Sequence, residues 1–308
     1  MSKFAIYNYN FLRIIEPNEE HQLEFPDWEN VNVKESFENR QQLLEELLLA
    51  DFEKPFPFEN ARKKPYWHIQ IVKPQDNVYV MRVANVTNVT ITDEHLLSQK
   101  YADYRNCLVI IDNRPGIQRI AIEQKTMAFS HTKTVANILE ASFCKLLKCK
   151  LLKVKLSAVY GTNVFWETLG KYPKGFSKVT FHFPHLNLDR LTKVMDKYLT
   201  TAREDWDSDL DFTFGANEGG AVKIDRNNQR QAALIAGASG AGAWIKMLPK
   251  GEKGKAILCG KDQYVVRELD SEVFNDLAIG AQPLPGMGQS AMDKVKVFMK
   301  DMPDVFTH

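Results

Sequence analysis

Asn106-Cys107-Leu108-Val109-Ile110-Ile111-Asp112-Asn113-Arg114-Pro115-Gly116-Ile117-Gln118-Arg119-Ile120-Ala121-Ile122-Glu123-Gln124-Lys125 reads as two apolar strands joined at a turn. Asn-Arg-Pro-Gly supplies the turn chemistry, and the β-branched runs on either side predict a hairpin over 106–112 and 117–125. Upstream, Lys3–Ile15 alternates aromatic and aliphatic residues as a strand does, and Tyr66–Val72, Val78–Ala84 and Val86–Thr92 continue the β-rich pattern. Val33–Phe52 interrupts it with Leu43, Leu44, Leu47 and Leu48 at helical spacing, and Pro55, Pro57 and Pro65 forbid regular structure before Tyr66.

Downstream of the hairpin, Thr132–Lys148 is amphipathic at helical period through Val135, Ile138, Leu139, Phe143, Leu146 and Leu147. Strands follow over Leu151–Tyr160, Lys178–Phe183, Leu210–Gly215, Trp244–Leu248 and Tyr264–Leu269. The last two are expected to flank a Lys/Gly-rich turn. Helices are expected over Val164–Leu169, Asn187–Thr201, Asp225–Ala236 and Ser290–Met299. Strands interspersed with helices, with hairpins in the first half, predict an α+β fold. The expected domains are a β-rich 1–130 and an α+β 131–308 that enters through a lysine-rich segment.

The chain has 308 residues, with 40 Lys and Arg against 39 Asp and Glu, a net charge of +1. Hydrophobic residues make up 44%, enough for a real core, so disordered, collagen-like and disulfide-scaffold classes fail. The start, Met1-Ser2-Lys3-Phe4-Ala5-Ile6-Tyr7-Asn8, lacks the apolar core of a signal peptide, and no stretch approaches about 20 apolar residues. Cys107, Cys144, Cys149 and Cys259 form no CxxC pair. A reduced, cytoplasmic protein without a membrane span is the expectation. The sequons at Asn85 and Asn88 then read as ordinary strand positions.

Catalytic signatures are sparse. Ile122-Glu123-Gln124-Lys125 ends an apolar strand in Glu-x-Lys, the minimal pattern of a restriction-endonuclease-like nuclease, in which two carboxylates hold Mg²⁺ and a lysine activates water. Asp112 is one partner for Glu123, but a tight hairpin opposes Asp112 to Ile117 and Glu123 to Asn106, about 20 Å apart. Asp103 lies nearer the correct end, although an ideal ladder points it away from Glu123 and Lys125. The competing reading is a solvent-facing Glu and Lys on a half-buried strand. Asp205, Asp207, Asp209 and Asp211 alternate like part of a calcium loop but lack its glycine and distal glutamate. Gly237-Ala238-Ser239-Gly240-Ala241-Gly242 sits between helix and strand, the reverse of a phosphate loop, and reads as a flexible helix exit. The histidines offer no zinc spacing, so no resident metal or other cofactor is implied outside the nuclease reading. Cys144 and Cys149, on an amphipathic helix and beside a strand, read as core or half-core thiols. The alternative for Cys149 is a reactive thiol whose thiolate form the flanking Lys148 and Lys150 favour.

Charge segregation is more informative. Residues 1–62 hold six basic and thirteen acidic side chains, a net of −7, whereas 132–182 hold nine lysines against Glu140 and Glu167, a net of +7. Lys145, Lys148, Lys150, Lys153, Lys155, Lys171 and Lys174 are the candidate contacts to a phosphate backbone, and Lys246, Lys250, Lys253 and Lys255 suggest a second basic turn. The same lysines would also suit a solvated face, or docking on the acidic N-terminal segment of the same or another subunit of a homo-oligomer.

The order of elements resembles that of bacterial anti-phage, abortive-infection proteins of the RexA and KwaB kind. The features that carry it are the β-rich first half, the hairpin Cys107–Lys125 with Val109-Ile110-Ile111-Asp112-Asn113, helix Thr132–Lys148, the unit Lys178–Gly215 and Asp225–Leu269. The resemblance implies a DNA-binding or DNA-sensing protein that partners a membrane or effector subunit and has no obvious active site. It assigns no residue.

Overall fold

The computed structural model describes residues 1–14, 33–92, 94–114, 117–183, 210–240, 244–251, 256–259, 264–270 and 287–300. The architecture is α+β with a strand-rich N-terminal half. In chain order the elements are β1 (Ser2–Arg13), α1 (Val33–Glu38), α2 (Arg40–Glu53), β2 (Phe58–Glu59), β3 (Pro65–Gln70), β4 (Val78–Thr92), β5 (Ser98–Asp112) and β6 (Arg119–Glu123). They continue as α3 (Thr132–Leu147), β7 (Leu152–Ala158), α4 (Thr162–Gly170), β8 (Phe176–Phe183), β9 (Leu210–Gly215), α5 (Gln229–Gly240), β10 (Trp244–Pro249), β11 (Ile257–Cys259), β12 (Val266–Leu269) and α6 (Met287–Lys300). The helix expected over Asn187–Thr201 and the aspartates at 205, 207 and 209 lie outside the described residues.

Two compact units divide the chain. The first comprises Met1–Ala5, Phe11–Leu156 and Val266–Asp301, and the second includes Ile6–Asn10 and Ser157–Val265. The sequence boundary at 130/131 falls inside the first unit. The reason is α3, whose apolar face packs on β2 and β6 instead of opening a new core.

The first unit is built on an eight-stranded sheet ordered β12-β1-β6-β5-β4-β3-β2, with β7 joining β1 off this path. Val78–Met81 of β4 and all of β6 are buried, as a strand with both faces covered requires. β4 is one strand where two had been expected. β5 starts eight residues before the expected Asn106, so the pair forms a single uninterrupted ladder from Val78↔Asp112 to Thr92↔Ser98. The hairpin of β5 and β6 is present, but it closes at Asp112↔Arg119 and not at Asp112↔Ile117. Its loop is therefore two residues longer than the tight turn expected. Asp112 explains the difference: it is fully buried, and Arg114 donates to it from its backbone N–H (3.1 Å), Nε (2.9 Å) and Nη2 (2.6 Å). Asn113, also buried, donates from Nδ2 to the Gln41 carbonyl at 2.9 Å.

The single helix expected over Val33–Phe52 is broken at Asn39 into α1 and α2. At the break, Phe37 is buried, with the Arg13 and Arg40 guanidinium groups each 4.7 Å from its ring centroid. Leu44, Leu48 and Asp51 form the buried stripe of α2. Asp51 closes a polar cluster over β3. Its Oδ1 meets His68 Nε2 at 2.7 Å and accepts the Phe56 N–H at 3.2 Å, while Oδ2 accepts Gln70 Nε2 at 2.9 Å. His68 stacks on Phe58 with ring centroids 3.6 Å apart. Alternation along β3 points His68 and Gln70 inward and leaves Trp67 and Ile69 exposed.

The second unit carries a four-stranded sheet, β11-β10-β8-β9. Val179, Phe181 and Phe183 of β8 and Ile245 and Met247 of β10 pack with Phe165 of α4 and Leu234, Ile235 and Ala238 of α5. Of the expected flexible exit Gly237–Gly242, Ala241 and Gly242 lie outside the described residues, and Gly237–Gly240 is helical. It is the last turn of α5, where Ala238 and Ser239 are fully buried and Ser239 Oγ donates to the Ile235 carbonyl at 2.8 Å. Small side chains there let the helix approach the sheet. Trp244–Leu248 and Tyr264–Leu269, expected to flank one turn, are not neighbours in a sheet: β10 pairs β11, and β12 pairs β1.

The Asp51 cluster sets the first prediction. Asp51→Ala removes the acceptor of three hydrogen bonds. Gln70 Nε2 keeps the Leu48 carbonyl at 2.7 Å, while the His68 ring and the Phe56 N–H lose their partner, at about 1–3 kcal/mol each. Urea unfolding is expected to show a loss of about 3 kcal/mol or more, whereas Glu53→Ala on the exposed face is expected to stay within about 0.5 kcal/mol of the parent.

Candidate nucleic-acid interface

Five of the seven candidate lysines occupy eleven consecutive residues of the first unit, on three short pieces of structure. Lys145 lies in the last turn of α3, Lys148 and Lys150 belong to the 3-10 turn Lys148–Lys150, and Lys153 and Lys155 lie on β7. The turn ends at Leu151, which takes a left-handed φ of 54° and donates its N–H to the Lys148 carbonyl at 2.9 Å. β7 then alternates strictly. Leu152, Val154 and Leu156 are buried, and Lys153 and Lys155 project to solvent.

All five lysines are exposed, but they are not equally available. Lys145 Nζ pairs with Glu59 at 2.8 Å, and Lys155 Nζ pairs with Glu140 at 2.8 Å. Glu140 has a second task, since its other oxygen accepts the Leu156 N–H at 2.8 Å and ties α3 to β7. Lys150 and Lys153 have no ion-pair partner among the described residues. Glu59 belongs to the acidic N-terminal segment, so one contact between the acidic and basic segments is made within the chain.

Lys171 and Lys174 belong to the second unit, in the loop between α4 and β8. Both are exposed, and the loop folds back through Gly175 N–H donating to the Tyr172 carbonyl at 2.8 Å. Gly175 has φ +72°, and a Cβ there would lie 2.9 Å from Ala221 Cβ. Tyr172 packs on Phe176 with ring centroids 5.4 Å apart and belongs to the core edge. The second basic turn is only partly a turn. Lys246 sits within β10 opposite Thr180 and Leu258, Lys250 follows the strand, and Lys253 and Lys255 lie outside the described residues.

That register exposes a surface the linear reading missed. The face of the second sheet opposite α4 and α5 carries Lys178, Thr180 and His182 of β8, Asp211 and Thr213 of β9, and Trp244 and Lys246 of β10. His182 Nδ1 meets Asp211 at 2.6 Å and its ring stacks on Trp244 at 4.4 Å. The signal was present as period-two alternation in Lys178-Val179-Thr180-Phe181-His182-Phe183. Only the strand order shows that Lys246 joins the same face.

The nuclease residues are not brought together. Glu123 is buried, and its Oε2 accepts the Leu108 N–H at 2.9 Å where β6 ends. Asp103 stands five residues along β5 from Leu108, about 17 Å of strand, opposite Thr87. It pairs with Arg105 at 2.7 Å. Lys125 is exposed beyond the end of β6. Among the described residues, no group of three or more His, Cys, Asp or Glu is placed to hold a metal ion. Among the described residues, no helix is long and apolar enough to cross a membrane. No protein-family model matches the chain, and no curated protein matches it.

The cysteines differ sharply in access. Burial, followed by the nearby Glu123, pushes the Cys107 thiol up to about 12, and burial pushes Cys259 up to about 11. Burial also raises Cys144, which lies 3.2 Å from the Val154 carbonyl. Cys149 is exposed in the 3-10 turn between two lysines. Maleimide treatment of the native protein at neutral pH is expected to modify Cys149 first. Peptide mapping by mass spectrometry should find Cys107 and Cys259 modified only after unfolding.

Proposed function

We propose that the protein binds nucleic acid, DNA before RNA, through the exposed lysines from Lys145 to Lys155, with Lys171 and Lys174 as further contacts. The observation that supports this reading is the crowding of five exposed ammonium groups onto eleven residues, with carboxylates set against two of them. Exposed ammonium groups on a rigid helix end, turn and strand suit phosphate contacts. Such contacts release counterions and carry no strong sequence preference. The resemblance to RexA and KwaB proteins extends the proposal to a bacterial cytoplasmic sensor or subunit of an anti-phage system, acting with an effector partner.

Electrostatic binding of this kind weakens steeply with salt. Anisotropy with a labelled DNA duplex between about 50 and 200 mM salt is expected to give a linear fall of log K with log salt. Replacing Lys148, Lys150 and Lys153 together by Glu should lower affinity at least tenfold and reduce the slope by about 0.9 for each phosphate that is no longer neutralised. Affinity that ignores both salt and the triple substitution would overturn the proposal.

A further inference from the structure

The ladder of β4 and β5 outruns the rest of the sheet. Pairing of β3 with β4 stops at Trp67↔Ala84, and pairing of β6 with β5 stops at Val109↔Ile122. Beyond these limits, Asn85↔Arg105 to Thr92↔Ser98 form a two-stranded arm of eight pairs, about 27 Å long. No third strand pairs with the arm among the described residues. A two-stranded ribbon by itself is marginally stable in water. This one also leaves apolar side chains in solvent, with Ile91 56% and Tyr101 50% exposed and Leu96 and Leu97 exposed near the tip.

The two edges of the arm differ. On β5, Lys100, Asp103 and Arg105 place charges along the strand, the usual protection against edge-to-edge pairing. On β4 the free edge is Val86-Thr87-Asn88-Val89-Thr90-Ile91-Thr92, without a charge, a proline or a glycine. Six of these seven residues are β-branched, the side chains that fit a pleated surface best. The ladder shows no register break that would twist this edge out of reach.

We propose that this edge pairs antiparallel with the same edge of a second copy, joining two arms into a four-stranded sheet about a twofold axis. The register that uses the whole free edge centres on Val89. It opposes Val86 to Thr92, Thr87 to Ile91, Asn88 to Thr90, and Val89 to the second copy's Val89. Every opposed pair is uncharged, so an identical strand meets no repulsion, as an isologous contact requires. Tyr101 already faces Val89 within the arm, so the axis would carry one row of Tyr101, Val89, Val89 and Tyr101 on a single face. A foreign strand would gain no charge steering from this edge, because the edge has none to offer. This dimer is independent of the lysine surface and of any nucleic acid.

Light scattering on the purified chain at tens of micromolar is expected to give the mass of a dimer. Val89→Lys would set two ammonium groups on the axis and should give a monomer with unchanged circular dichroism. Cross-linking tests the register without weakening the fold. In a Cys149→Ser background, Val89→Cys should oxidise to a covalent dimer, since directly opposed Cα atoms lie about 4.5–5.5 Å apart. Asn88→Cys should not, because its copies sit on a diagonal of about 7–8 Å. A monomeric parent, a Val89→Lys variant that stays dimeric, or equal cross-linking at both positions would overturn the proposal. A monomer that gains mass only with a different protein would overturn it as well.

Discussion

The ladder between β4 and β5 is the constraint on which the first unit depends. Its register is held where both strands are buried on both faces, from Val78↔Asp112 to Met81↔Val109. A slip of one residue there would turn every side chain to the opposite face, so the buried part holds the whole ladder in phase. β3 then pairs on one side and β6 on the other. The exposed arm inherits the register without packing of its own, which gives it a defined conformation at its base and little cohesion at its tip.

Carboxylates join the elements to this frame. Asp51 secures α2 to β3, Asp112 gathers the Arg114 loop, Glu123 caps the Leu108 N–H, and Glu140 ties α3 to β7. Each accepts hydrogen bonds from groups that burial would otherwise leave without water. Glu123 and Asp112 therefore act as acceptors within the frame. This arrangement accounts for an acidic residue at the end of an apolar strand without chemistry at that position.

The near-zero net charge hides a spatial separation. Lys145 and Lys155 are drawn into ion pairs, Lys150 and Lys153 have none among the described residues, and Lys171 and Lys174 belong to the other unit. Six lysines that count equally in composition are thus divided by their surroundings into structural, available and separately placed groups. The open face of the second sheet adds Lys178 and Lys246, which lie 68 residues apart in the chain and on adjacent strands in the fold.

The Asn-Arg-Pro-Gly turn between two apolar runs determined the hairpin of β5 and β6. Period-two and period-3.6 patterning determined the α+β class, helix α3 and the alternation of β7, because burial of one face writes itself into local spacing. The same patterning showed that Lys153 and Lys155 share a face. It could not show what needs distant partners. The length of β5 through Lys100-Tyr101-Ala102-Asp103-Tyr104-Arg105 was hidden because an exposed arm has no buried face to impose alternation. The break at Asn39 coincides with a buried Phe37 that meets Arg13 and Arg40, two arginines from different elements. The two-residue shift at Arg119 came from a buried Asp112 that had to find Arg114, and the burial of Ala238 and Ser239 came from close approach of α5 to its sheet. Local spacing records which face is buried. Which carboxylate meets which lysine, and which strand edge is left unpaired, are decided only when the chain closes on itself.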